Sequence, residues 1–145
     1  MRIRNKIAAI TGAGSGIGLA AAELFGKEGA TVLILEKNAE SAAAAKKKVT
    51  DAGGRAEAYA VDIADWNSVK GAFSGIESAY GGIDVLYNNA SVFWGEKDAA
   101  IENLDVGVLE AILRINLFGM MYCSKYAIPL MRKRGGGVII NTSSS

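Results

Sequence analysis

Between an apolar run and a helical period the chain reads Thr11-Gly12-Ala13-Gly14-Ser15-Gly16-Ile17-Gly18. The run before it, Lys6–Thr11, has the pattern of a buried strand. The residues after it, Gly16–Gly29, place Ile17, Ala20, Ala21, Leu24 and Phe25 on one helical stripe. A strand that turns into a helix within a few glycines restricts the fold more than any other feature here. Glycine lets the backbone turn tightly and approach a ligand, and the helix start offers free N–H groups and a positive dipole end to an anion. The expected ligand part is therefore a phosphate. The spacing excludes two familiar loops. A G-x-G-x-x-G loop needs glycine at 17, where Ile17 stands, and a Gly-Lys-Ser/Thr ending is missing. Gly12, Gly16 and Gly18 follow G-x-x-x-G-x-G instead.

The same alternation continues down the chain. Thr31–Leu35, Arg55–Val61, Ile83–Tyr87 and Val138–Asn141 read as four further strands. Helices are expected after Asn38, over Asn67–Tyr80 behind the capping residue Asp65, and over Val106–Arg134, with mostly loop at Ser91–Asn103. Strand–helix alternation requires parallel strands with helices on both faces. Most of the strands are apolar at consecutive positions rather than alternating, as in a sheet covered on both sides. The expected class is α/β, a Rossmann-like doubly wound parallel sheet, in a single domain over residues 1–145.

Composition narrows the chemistry. Sixteen Lys and Arg against fifteen Asp and Glu leave a net charge of +1, with no basic stripe for nucleic acid. Histidine is absent, which removes Ser-His-Asp triads and His-ligated metals; no metal site is expected. The one cysteine, Cys123, cannot close an intrachain disulfide, which favours a reducing compartment. No run approaches the roughly 18–20 apolar residues of a membrane span. Behind Met1–Lys6 the apolar run is too short for a signal peptide. The expectation is a soluble cytoplasmic protein with no membrane or nucleic-acid partner.

The glycine spacing behind Thr11 closely resembles the short-chain dehydrogenase/reductase family, and four later stretches resemble it too. Glu36 ends the second strand, where an acidic side chain accepts from the ribose hydroxyls of an adenosine and repels a 2′-phosphate. NAD is thus favoured over NADP, although Lys37 next door could neutralise a phosphate. Without the resemblance, Glu36 and Lys37 read as a surface pair. Asp62-Ile63 ends the third strand, where the family has an Asp facing the adenine amino group; a helix-capping Asp is the other reading. Asn88-Asn89-Ala90 resembles the family's Asn-Asn-Ala-Gly, with Ser91 in place of Gly, and implies that Asn89 and Ala90 line the ribose. Asn116-Leu117-Phe118-Gly119 resembles the helix segment whose Asn holds a water of the proton relay; a satisfied core amide is the alternative. Ser144, after Val138–Thr142, matches the serine that polarises the substrate carbonyl; its neighbours Ser143 and Ser145 are not excluded by the sequence alone. The implied cofactor residues are Thr11, Gly12, Ser15, Gly16, Ile17, Gly18, Glu36, Asp62, Ile63, Asn89 and Ala90, and the implied catalytic ones Asn116 and Ser144. With right-handed crossovers, the resemblance also implies strand order 3-2-1-4-5.

The resemblance stops short of the family's Tyr-x-x-x-Lys pair. Four residues after Tyr59, Tyr80, Tyr87, Tyr122 and Tyr126 stand Ile63, Asp84, Ser91, Tyr126 and Leu130. The chain is therefore expected to be a truncated, N-terminal part of an NAD-dependent oxidoreductase acting on an alcohol/carbonyl pair, and inactive alone. A non-catalytic dinucleotide-binding or assembly module is the alternative. An S-adenosylmethionine methyltransferase is disfavoured by the glycine spacing. On the Val106–Arg134 helix one stripe holds Leu109, Ile112, Leu113, Met120, Cys123, Ala127, Leu130 and Met131. A second holds Val108, Ala111, Ile115, Phe118, Tyr122 and Tyr126. One sheet face buries one stripe, so a homo-oligomer is expected, a two-fold dimer with Phe118 and Tyr122 in the contact.

Overall fold

The structure is a computed structural model that describes residues 1–143. Five strands, β1 (Ile7–Thr11), β2 (Thr31–Glu36), β3 (Arg55–Ala60), β4 (Val85–Asn88) and β5 (Val138–Asn141), form one sheet in the order β3-β2-β1-β4-β5. Every pairing is parallel; Ala8, for example, stands between Val32 and Val85. The expected order and class are both found.

Alternation along the strands builds two cores. Ile7, Ala9, Leu33, Leu35 and Leu86 point to one face, where α3 (Trp66–Tyr80) and α5 (Met120–Lys133) cover them through Val69, Phe73, Ile76, Cys123 and Ala127. Ala8, Ile10, Val32 and Ile34 point to the other, under α1 (Gly16–Lys27) and α2 (Ala39–Asp51), which contribute Ala22, Ala42, Ala45 and Val49. Both faces are covered, which is why the central strands are apolar at consecutive positions. At the bottom edge Asp84 ties the sheet together. Its Oδ2 accepts from Ile7 N at 2.8 Å and lies 3.0 Å from Arg134 Nε, and Lys6 Nζ lies 3.5 Å from its Oδ1.

The long helix is continuous but not uniform. It consists of α4 (Val106–Leu113), a π-helical turn over Arg114–Gly119, and α5. The π turn holds an extra residue and changes the phase of the stripes on either side. Cys123, Ala127, Leu130 and Met131 are buried as expected, but Leu109 and Leu113, assigned to the same stripe, are exposed. Tyr122 and Tyr126 depart from the expected outer stripe in the opposite sense. Their rings lie 5.0 and 5.1 Å from the Trp66 ring, so α3 gives them a partner within the chain.

The expectation about membrane spans also needs correction. Val106–Lys133 contains an 18-residue window of mean hydropathy 1.4, enough by length and composition for a span. Scattered polar residues hide it from a search for an unbroken apolar run. Cys123, Ala127, Leu130 and Met131 of α5 pack on the sheet, while most of the window stays uncovered. The 91–103 loop holds two short 3₁₀ turns, Gly95–Lys97 and Ile101–Asn103.

Candidate functional site

The switch point between β1 and β4 opens a cleft of about 670 Å³ at the carboxyl ends of the strands. Such a crevice is where open parallel sheets bind ligands. Gly12, Ser15, Gly16, Ile17, Glu36, Asp62, Ile63, Asn89 and Ala90, all named from sequence, line it together with Lys37, Val92, Trp94 and Ile115.

The floor is the start of α1. Ser15 occupies the N-cap position but makes no side-chain capping bond. By contrast, Asn38 caps α2 through Ser41 N, Asp65 caps α3 through Asn67 N, and Asp105 caps α4 through Val108 N. The first-turn N–H groups of α1 are thus left for a ligand. Gly12 adopts φ +63°, and a Cβ on Gly18 would lie 2.2 Å from Gly12 O, so strand, turn and helix meet only because Gly18 has no side chain.

Thr11 and Gly18 do not line the cleft. Thr11 is buried, and its Oγ1 accepts from Asn89 N and Ala90 N, both at 3.0 Å. Asn89 Nδ2 donates back to Thr11 O at 3.1 Å. The β4 loop is therefore held against the glycine turn by a side chain behind it. Asn88 Nδ2 donates to Asn141 Oδ1 at 2.9 Å and Ser124 Oγ at 3.2 Å, which links β4 to β5 and α5.

At the β2 end of the cleft, Glu36 reaches back to the glycine turn. Its Oε2 accepts from Gly14 N at 3.1 Å and its Oε1 from Asn38 N at 3.2 Å. A Cβ on Gly14 would lie 2.7 Å from Glu36 Cγ, so Gly14 makes room for this carboxylate, a role its place in the motif does not disclose. Asp62 Oδ1 accepts from Ala64 N at 3.0 Å, and Lys37 Nζ lies 2.8 Å from Asp62 Oδ2. Partial burial pushes the Asp62 carboxyl up, but the Lys37 ammonium and the Ala64 N–H outweigh it and hold it below the ordinary carboxylate value. The same contact raises Lys37.

Beyond Ala90 a second cavity of about 490 Å³ is lined by Ser91, Val92, Phe93, Asn116, Met120 and Thr142. Asn116, in the π turn, bonds both ways with one residue: Oδ1 accepts from Val92 N and Nδ2 donates to Val92 O, each at 2.8 Å. Its amide is satisfied and fixes the start of the 91–103 loop. Ser144 lies outside the described residues. Among those described, no cluster of acidic or cysteine side chains could hold a metal. Cys123 is buried away from both cavities, with its thiol pushed up to about 12 by burial.

Comparison with known proteins agrees with this geometry. The family model described as short chain dehydrogenase matches residues 6–145. An uncharacterized oxidoreductase of Bacillus subtilis is 43% identical over 143 residues, 99% of this chain and 51% of that protein. A cyclohexanol dehydrogenase of Acinetobacter is 33% identical over 99% of this chain and 56% of its own length. A solved structure of NAD+-bound xylitol dehydrogenase superposes with a TM-score of 0.91 at 29% identity, covering 99% of this chain and 55% of that one. The chain spans about half the length of the relatives it matches. A doubly wound sheet, an uncapped helix behind a G-x-x-x-G-x-G turn and a match over nearly every residue place the chain in the short-chain dehydrogenase family of oxidoreductases.

Proposed function

We propose that the chain is the cofactor-binding part of an NAD-dependent oxidoreductase acting on a small alcohol/carbonyl pair. The observation that carries this is the convergence, in one cleft, of the uncapped α1 start, Glu36 and Asp62. The N–H groups of α1 would hold the pyrophosphate, Glu36 the adenosine ribose, and Asp62 and Ile63 the adenine. The bound nicotinamide would supply the hydride chemistry. Asn89 and Ala90 would pass the cofactor toward the second cavity, where Val92, Phe93 and Met120 offer apolar walls to a substrate. Ser144 would polarise the carbonyl and Asn116 would hold the wall in place. NAD is favoured over NADP because the Glu36 carboxylate would repel a 2′-phosphate. A cytoplasmic protein, paired as a two-fold dimer and without a nucleic-acid or membrane partner, fits this reading.

One observation supports a narrower role for the chain alone. No tyrosine has lysine four residues on. Loss of an acid/base group typically costs about 10²–10⁴-fold in rate, so dinucleotide binding without turnover is expected of these residues by themselves. Calorimetric titration with NAD and NADP tests the cofactor assignment. NAD should bind more tightly, and Glu36→Ala should narrow the difference. Tighter binding of NADP by the unaltered chain would refute it. An assay with NAD and a panel of alcohols should show no turnover.

A further inference from the structure

Three charged side chains share the adenosine end of the cleft. Lys37 is the single basic residue among the described residues lining it; Glu36 and Asp62 are acidic. The lysine is paired with Asp62, at 2.8 Å, and not with its sequence neighbour Glu36. Asp62 is itself anchored: Oδ1 takes the Ala64 N–H, and the Asp62 N–H donates to Ser68 Oγ at 3.0 Å. Glu36 is anchored by Gly14 N and Asn38 N. The one long, flexible side chain of the three is therefore held by a fixed carboxylate on the adjoining strand end.

We propose that Asp62 sets the preference against a 2′-phosphate together with Glu36, by sequestering Lys37, the one cation among the described cleft residues that could receive that phosphate. The proposal rests on the cleft being a nicotinamide dinucleotide site. Two carboxylates and one ammonium leave a local charge of −1, to which a 2′-phosphate adds more negative charge. Without the Asp62 charge the local sum is zero, and Lys37 is free to turn to the ribose. The pair is partly solvated, with Lys37 74% and Asp62 34% exposed. Solvent screening then keeps the effect to about fivefold, and salt reduces it.

The test is the ratio of NADP to NAD dissociation constants, measured by calorimetry at low salt on the full chain. Four versions are compared: unaltered, Asp62→Asn, Lys37→Ala, and both together. The side-chain amide introduced by Asp62→Asn retains an oxygen to accept the Ala64 N–H, and Lys37 is a surface side chain, so the variants preserve the fold. Any loss of adenine binding in Asp62→Asn affects both dinucleotides and cancels in the ratio. Asp62→Asn should lower the ratio about fivefold toward NADP. Lys37→Ala should then reverse that gain in the Asp62→Asn background, yet change the ratio less than about twofold in the unaltered chain. Equal effects of Lys37→Ala in both backgrounds, with NAD still bound, would overturn the inference and leave the dinucleotide site standing. If none of the four chains binds either dinucleotide, the site assignment falls and the inference with it.

Discussion

A methyl group on Gly18 would have to share space with Gly12 O and with Asn89 Nδ2, only 2.2 and 2.6 Å from the Cβ position. Neither neighbour can retreat cheaply, because Asn89 is bonded to Thr11 and Gly12 opens the turn. Gly18→Ala should therefore destabilise the chain by about 1–3 kcal/mol, the usual cost of overpacking. An unchanged urea midpoint would show that the helix start shifts freely. Asp84 makes a second prediction at this scale. Burial raises its carboxyl, but Arg134 and the Ile7 N–H outweigh burial and keep it below the ordinary value. A folded value below the unfolded one contributes stability that is fully present above the unfolded carboxylate value. That stability is lost as pH falls from about 4 through the lowered folded value. Asp84→Asn should cost about 2 kcal/mol at neutral pH and flatten the acid limb of the stability profile. Denaturant midpoints followed from pH 7 to pH 3 check both.

At the scale of elements, the π turn decides how the long helix meets the rest of the molecule. It carries Asn116 to the Val92 backbone and offsets the stripes of α4 and α5. Nothing in the apolar spacing announced it, since a single extra residue in a turn leaves composition unchanged. The polar residue within an apolar stripe was the visible signal, and it marked the position without disclosing its partner. Asn116→Ala should leave Val92 N and O unpaired and loosen the start of the 91–103 loop. Hydrogen exchange at the Val92 amide should accelerate by at least about tenfold, while amides of β1 and β2 stay protected. Equal protection at Val92 in both proteins would count against the clasp. The caps of α2 and α3, by contrast, were legible: Asn38 and Asp65 were named from residue type and position, and both accept from the first turn.

For the whole molecule, the outer side of the long helix is an uncovered apolar feature. Leu117, Phe118 and Met121 are 46%, 41% and 57% exposed. The proposed dimer would cover them, whereas Tyr122 is already engaged with Trp66 and contributes less than the stripe pattern suggested. The chain should sediment as a dimer, and Phe118→Glu with Met121→Glu should give a monomer with unchanged helical content. A monomeric unaltered chain would defeat the proposal.

Local pattern carried the element types, the glycine turn, the strand order through crossover handedness and family resemblance, and most residues of the cleft. Each depends on short-range periodicity, turn chemistry or motif spacing, which the chain itself records. Tertiary structure decided what long-range pairing decides. Thr11 turned its hydroxyl to the β4 loop and away from the cleft. Gly14 yielded space to a carboxylate 22 residues later, and Lys37 was given to Asp62 in preference to Glu36. Tyr122 found its partner on α3. Such choices arise because parallel strands bring together the ends of segments far apart in sequence, and a residue's type does not say which of its new neighbours will satisfy it.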